Sequence, residues 1–151
     1  MHMLSSSSGA ERRLLQAAVA LAALVPIVAG LRGVVLGLDT FGTHARLSLT
    51  GDSHVRYLSG LILAIGVGFW SAIPRIELRG ARFRLLTCLV LIGGLARLYG
   101  IIALGGSTRG AIGALVMELG VTPALALWRE RVERNSREAQ SAGPGIALPS
   151  V

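Results

Sequence analysis

Four apolar stretches separated by arginine-rich turns constrain this chain more than anything else in it. They cover residues 14–31, 57–73, 85–104 and 111–128, and the first two carry no charge. Each is about as long as the ~20 residues an α-helix needs to cross a bilayer. The connections are short, so consecutive helices must be antiparallel neighbours. The expected fold is all-α, a four-transmembrane-helix antiparallel bundle. Only 15% of the residues are charged, where a soluble domain carries about a quarter. The net charge of +7 would suggest nucleic acid in a soluble protein. Here the basic residues cluster at helix ends, where headgroups and topology account for them, and no nucleic-acid partner is expected.

The chain divides into a disordered N-terminal segment (1–12), a four-helix membrane domain (13–129) and a polar helical extension with a flexible tail (130–151). The spans are placed near 14–35, 55–74, 85–104 and 110–128. Arg12 and Arg13 before an apolar run resemble a signal peptide, but the run is longer than a usual signal core and is read as a span. In the extension, Arg129–Glu133, Glu130–Arg134 and Arg134–Glu138 are i,i+4 pairs of opposite charge, a pattern that supports a solvated helix.

Topology follows from arginine placement. Ten arginines, Arg12, Arg13, Arg75, Arg79, Arg82, Arg84, Arg129, Arg131, Arg134 and Arg137, fall on one side. The other side has Arg46 and Arg109 in its loops. The positive-inside rule then puts both termini in the cytoplasm and the protein in a bacterial inner membrane. Pro26 and Pro123 lie within spans and should bend them. Gly33 with Gly37, Gly60 with Ala64 and Gly68, and Gly93, Gly94 and Gly100 form small-residue stripes suited to close helix packing. The single cysteine, Cys88, reads as a small buried thiol.

The charges within the apolar spans are the candidate chemistry. Arg97 lies about 20 Å along the third helix from Arg84, and Glu118 about 16 Å along the fourth from Arg129. An unpaired charge at that depth costs several kcal/mol, so the two are expected to pair. Arg32, Asp52, His54 and Arg56 form a second tier near the outer boundary. Asp52 precedes Arg56 by four residues, a spacing that favours an ion pair, and Asp52 or Ser53 can also cap the second helix. His54 carries an imidazole, a side chain suited to proton handling. Arginine is in slight excess in this half, which suits a carboxylate or phosphate. If the outer tier serves a ligand, it should converge with Arg97 and Glu118 on one cavity. The sequence contains no legible metal site, cofactor motif or nucleophile-and-base pair, and the reading leans away from an enzyme.

Four segments carry a resemblance: 52–61 (Asp52 to Leu61, including His54 and Arg56), 69–77 (Phe69-Trp70 through Pro74-Arg75 to Glu77), 93–98 (Gly93-Gly94 through Arg97) and 117–123 (Met117-Glu118 to Pro123). Together they resemble a bacterial family of small four-helix integral membrane proteins, catalogued as a domain of unknown function. The likeness spans about residues 14–129, and the layout is loosely similar to DoxX-like proteins. It implies a fold and a location, not an activity. Two functions are carried forward. The leading one is an accessory or scaffold subunit packing within the membrane among lipids, against a membrane-protein partner or as a homo-oligomer. The alternative is a binding or catalytic protein using the outer polar cluster on an acidic lipid, a quinone or a small anionic molecule.

Overall fold

A computed structural model of the chain describes residues 3–41 and 49–141. These form α1 (Met3–Leu36), α2 (Leu49–Ala72), α3 (Gly80–Leu104), α4 (Arg109–Val116) and α5 (Thr122–Ser141). A π-helical segment, Met117–Val121, joins α4 to α5, so the two make one continuous fourth rod. Short 3-10 turns, Gly37–Phe41 and Ile73–Arg75, follow α1 and α2. Four helices are long and apolar enough to cross a membrane, and among the described residues there is no strand. Arg46 and the tail beyond residue 141 lie outside the described residues.

The outside of the bundle is apolar. Leu21, Ile92, Ile102 and Leu127 are each about 70% exposed (68, 65, 71 and 68%). A water-soluble bundle buries its apolar stripe and shows its charges. This surface is compatible with a multi-pass membrane protein, in which lipid covers the outward side chains.

The core sits toward the end where the arginines gather. Leu15, Val19 and Ala23 of α1 meet Phe69 and Ala72 of α2, Ile76, Phe83 of α3 and Val132 of α5. Phe69 and Phe83 pack edge to face with centroids 5.0 Å apart, a favoured aromatic arrangement. Polar contacts lock the same end. Arg12 pairs with Glu77 at 2.9 Å, and the Trp128 indole donates to Glu11 at 3.3 Å. The helix already runs from Met3, and Glu11 and Arg12 hold it to the turn after α2 and to α5.

Arg129 is the largest fully buried side chain, 1% exposed. Its Nε donates to the Ile76 carbonyl at 2.9 Å and its Nη2 to the Glu77 carbonyl at 2.8 Å. These carbonyls lie in the turn between α2 and α3, beyond the regular hydrogen bonds of either helix. Glu133 neutralises the charge at 2.7 Å. Gly80 opens α3 directly against the guanidinium, and a Cβ there would lie 2.8 Å from Nη1. Arginine at this position is therefore a brace for the α2–α3 turn.

The hairpin of α1 and α2 is the most closely packed pair. A Cβ on Gly30 would meet the backbone of Leu63 and Ser59, and one on Gly66 would meet Ile27 and Pro26. In a bilayer, lipid would supply no hydrophobic drive between helices, and such backbone approach would carry the association. The glycine expectation is right in kind and partly wrong in position. Gly33, Gly68 and Gly94 face neighbours, whereas a Cβ on Gly60, Gly93 or Gly100 would meet nothing within 4 Å among the described residues. Gly37 acts differently: at φ +59° it ends α1 in the left-handed conformation that glycine adopts without strain. Cys88 is exposed on the outer face of α3 and not buried.

Candidate functional site

Pro123 shapes the fourth rod. It has no N–H, and its ring excludes the carbonyl four residues back. The Thr122 N–H and hydroxyl both turn to the Met117 carbonyl, the hydroxyl at 2.8 Å, which gives the π-helical spacing. Glu118 lies within this widened turn. Gly94 on α3 faces it, and a Cβ there would lie 2.9 Å from Glu118 Cβ. The missing side chain lets α3 come close. Arg97, three residues on and on the same face of α3, then reaches the carboxylate.

The resulting contact is bidentate. Arg97 Nε donates to Glu118 Oε2 at 2.9 Å and Nη2 donates to Oε1 at 2.8 Å. The planar fork fits a carboxylate in this way and fixes direction as well as distance. The side chains are 36% and 20% exposed, so the pair is half-sheltered. The expected pairing of these two residues is observed, and both face the interior of the bundle.

Beside the pair lies a cavity of about 290 Å³ between the helices. Arg97 and Glu118 are its charged wall residues; the rest of the wall is apolar apart from Thr122. Val25, Pro26 and Ala29 line it from α1, Ile62 and Ile65 from α2, and Ala114 from α4. Phe69 and Phe83 close it toward the packed core. Val25 and Ile62 are both wall residues and exposed, at 49% and 38%, so the cavity is open and not sealed. Its width follows from the packing: α4 rests on α3 and the π segment, and among the described residues makes no substantial interface with α1 or α2.

The second tier does not join this site. Arg56 donates from Nη1 to the Val34 and Val35 carbonyls at 2.6 and 2.9 Å. Its Nε binds Asp52 at 2.6 Å, and Asp52 accepts the Leu38 N–H at 3.1 Å. Asp52 and Arg56 thus clamp the end of α1, where carbonyls have lost their helical partners and a cation is favoured. The 52/56 ion pair forms as the spacing suggested, and Arg56 is exposed instead of converging on the cavity. Asp52 is not the N-cap either, because α2 begins at Leu49. His54 is exposed, with Nδ1 2.9 Å from the Thr50 carbonyl one turn back. Arg32 is exposed on α1, and its carbonyl accepts the Thr40 hydroxyl at 3.3 Å. None of these four lines the cavity. Among the described residues, no three of His, Cys, Asp and Glu come together as a metal site would require.

Fold and site together define a small four-helix protein with one ion pair on the wall of an apolar interhelical cavity. Residues 14–129 match the family described as Domain of unknown function (DUF4345), and the chain belongs to that family. No curated protein and no solved structure matches it.

Proposed function

We propose that this is an integral membrane protein that binds an amphiphilic molecule taken from the bilayer. The apolar part occupies the cavity between the α1–α2 hairpin and the other two rods, and the polar part meets Arg97 and Glu118. One observation carries this reading: the charged pair faces an open cavity that is apolar elsewhere except at Thr122. A few placed polar groups in an apolar pocket are the usual composition of a ligand site. Charged groups inside a membrane bundle mark functional positions by default.

A ligand that binds the folded state raises its stability by mass action, about 2.7 kcal/mol at a hundred times Kd. Gly93 lines the cavity, and a Cβ added there meets nothing, so Gly93→Phe fills the site without a clash at the backbone. Titrating purified protein in mild detergent with a total membrane lipid extract should raise Tm of the unsubstituted protein clearly more than that of Gly93→Phe. Equal rises would count against the cavity as the binding place.

The accessory-subunit reading keeps one specific support. A Cβ added to Gly60 on α2, Gly100 on α3 or Gly113 on α4 would meet nothing within 4 Å among the described residues, and small residues on an open face admit a neighbouring helix.

We further propose that the protein resides in a bacterial inner membrane with both termini in the cytoplasm, on the strength of the ten arginines at one end of the helices. On a Cys88→Ala background, an impermeant thiol reagent applied to intact cells should label a cysteine at Ser107, between α3 and α4, and not one at Ser141. The reverse pattern would invert the topology.

A further inference from the structure

We infer that the cavity selects a single-chain lipid with an uncharged head bearing a hydroxyl or carbonyl, held with its tail toward Phe69 and Phe83. This rests on the cavity-binding reading above and specifies its ligand.

The charge of the head follows from the pair. Arg97 spends Nε and Nη2 on the two carboxylate oxygens, so the cavity wall carries opposite charges that cancel. Among the described residues the wall holds no other arginine, lysine, histidine or acid. An anionic head would lie against the Glu118 carboxylate or have to break the bidentate contact. A cationic head meets the same obstacle at Arg97. Either would also lose its hydration among apolar walls, a cost of several kcal/mol. An uncharged head avoids both. Arg97 Nη1, which makes no hydrogen bond among the described residues, can donate to a carbonyl or hydroxyl oxygen. Each Glu118 oxygen takes one bond from Arg97 and has a lone pair left for a hydroxyl proton.

The shape of the molecule follows from the walls. Phe83 and Arg97 stand fourteen residues apart on α3, about 21 Å along the helix. Apolar wall residues fill that interval: Ile62 and Ile65 on α2, Val25 and Ala29 on α1, Val90 on α3. A volume of about 290 Å³ drawn out over such a length suits an extended chain better than a globular ligand. The polar end of the cavity is the Arg97–Glu118 level, and the aromatic pair is its floor, so the head and tail have fixed ends.

The test is photocrosslinking of the full chain in mild detergent. Three probes share one acyl or alkyl length and carry a diazirine at the tail end: a monoacylglycerol, an alkyl sulfonate and an alkyl trimethylammonium. Labelled residues are mapped by tandem mass spectrometry. The monoacylglycerol should label the wall near Phe69 and Phe83, at least about tenfold above either charged probe. Unlabelled monoacylglycerol or a short prenylquinone should compete, which separates a hydroxyl-headed from a carbonyl-headed source; competition by neither would overturn the inference. Equal or stronger labelling by the sulfonate overturns the uncharged head while leaving cavity binding intact. Tail-end labelling concentrated at Arg97 and Glu118 overturns the orientation. Absence of labelling at any wall residue by all three probes overturns this inference and the cavity-binding reading together.

Discussion

Arg129→Leu should cost about 3–5 kcal/mol of stability, because two carbonyls each lose a hydrogen bond from a charged donor, worth about 1.5–3 kcal/mol apiece. The substitution strips the Ile76 and Glu77 carbonyls of their donors in a closed interior. It also removes the side chain against which Gly80 begins α3. Glu133 is not stranded, because Arg137 still pairs with it, so the loss reports mainly on the turn. Arg129→Lys should recover only part of it. An ammonium is a compact charge and cannot serve two carbonyls and a carboxylate with a planar fork. Gly80→Ala should also destabilise, although alanine ordinarily favours helix, because its methyl enters the space of a guanidinium that is itself enclosed. Thermal unfolding in detergent, followed by circular dichroism, measures all three. A loss below ~1 kcal/mol for Arg129→Leu would place it in the class of ordinary surface substitutions and remove the brace from the account.

The second large effect concerns the cavity pair. Arg97→Leu and Glu118→Leu should each cost about 2–4 kcal/mol, since each leaves an unpaired charge among apolar groups. The double substitution should cost less than either single one, because leucines on both sides leave nothing to compensate. Partial exposure of both side chains, at 36% and 20%, tempers the single-mutant losses through water and headgroup screening. The double-mutant cycle extracts the coupling directly. Additive losses would mean that the two residues do not act as a unit in the folded protein. Pro123→Ala offers an internal comparison: restoring an N–H should let the π turn relax toward α-helix and shift Glu118 around the rod, reducing the measured coupling.

Depth along a helix was legible in the sequence, and azimuth was only partly so. The 1.5 Å rise places Arg97 and Glu118 at similar levels, and their pairing follows from the cost of isolation. The same rise says nothing about which side of a helix a glycine faces. Gly60 and Gly68 looked like one packing stripe on α2, yet the close approach runs through Ser59 and Gly66, opposite Gly30, Gly33 and Pro26. Hydropathy has the same blindness at Cys88, because lipid and protein core accept the same apolar residues. Arg56 and Arg129 were harder still. Besides their i,i+4 carboxylates, their partners are backbone carbonyls, which every residue carries, so no residue type in the sequence marks those acceptors. Arg129 was legible only as the i,i+4 partner of Glu133, a correct contact that is the lesser part of its work. The nearest clue in the sequence was Gly80 at the start of α3, whose missing side chain leaves the space that the guanidinium occupies.

Native mass spectrometry from mild detergent tests the cavity-binding account most directly, because it reports small bound molecules and protein partners in one spectrum. The account predicts that the purified protein carries a lipid-sized adduct that survives mild activation. It further predicts that Gly93→Phe, which fills the cavity, loses that adduct while retaining the same helical content and the same protein stoichiometry. An adduct unchanged by Gly93→Phe, or a spectrum holding a second protein and no small molecule, would contradict it and leave the bundle as a packing subunit.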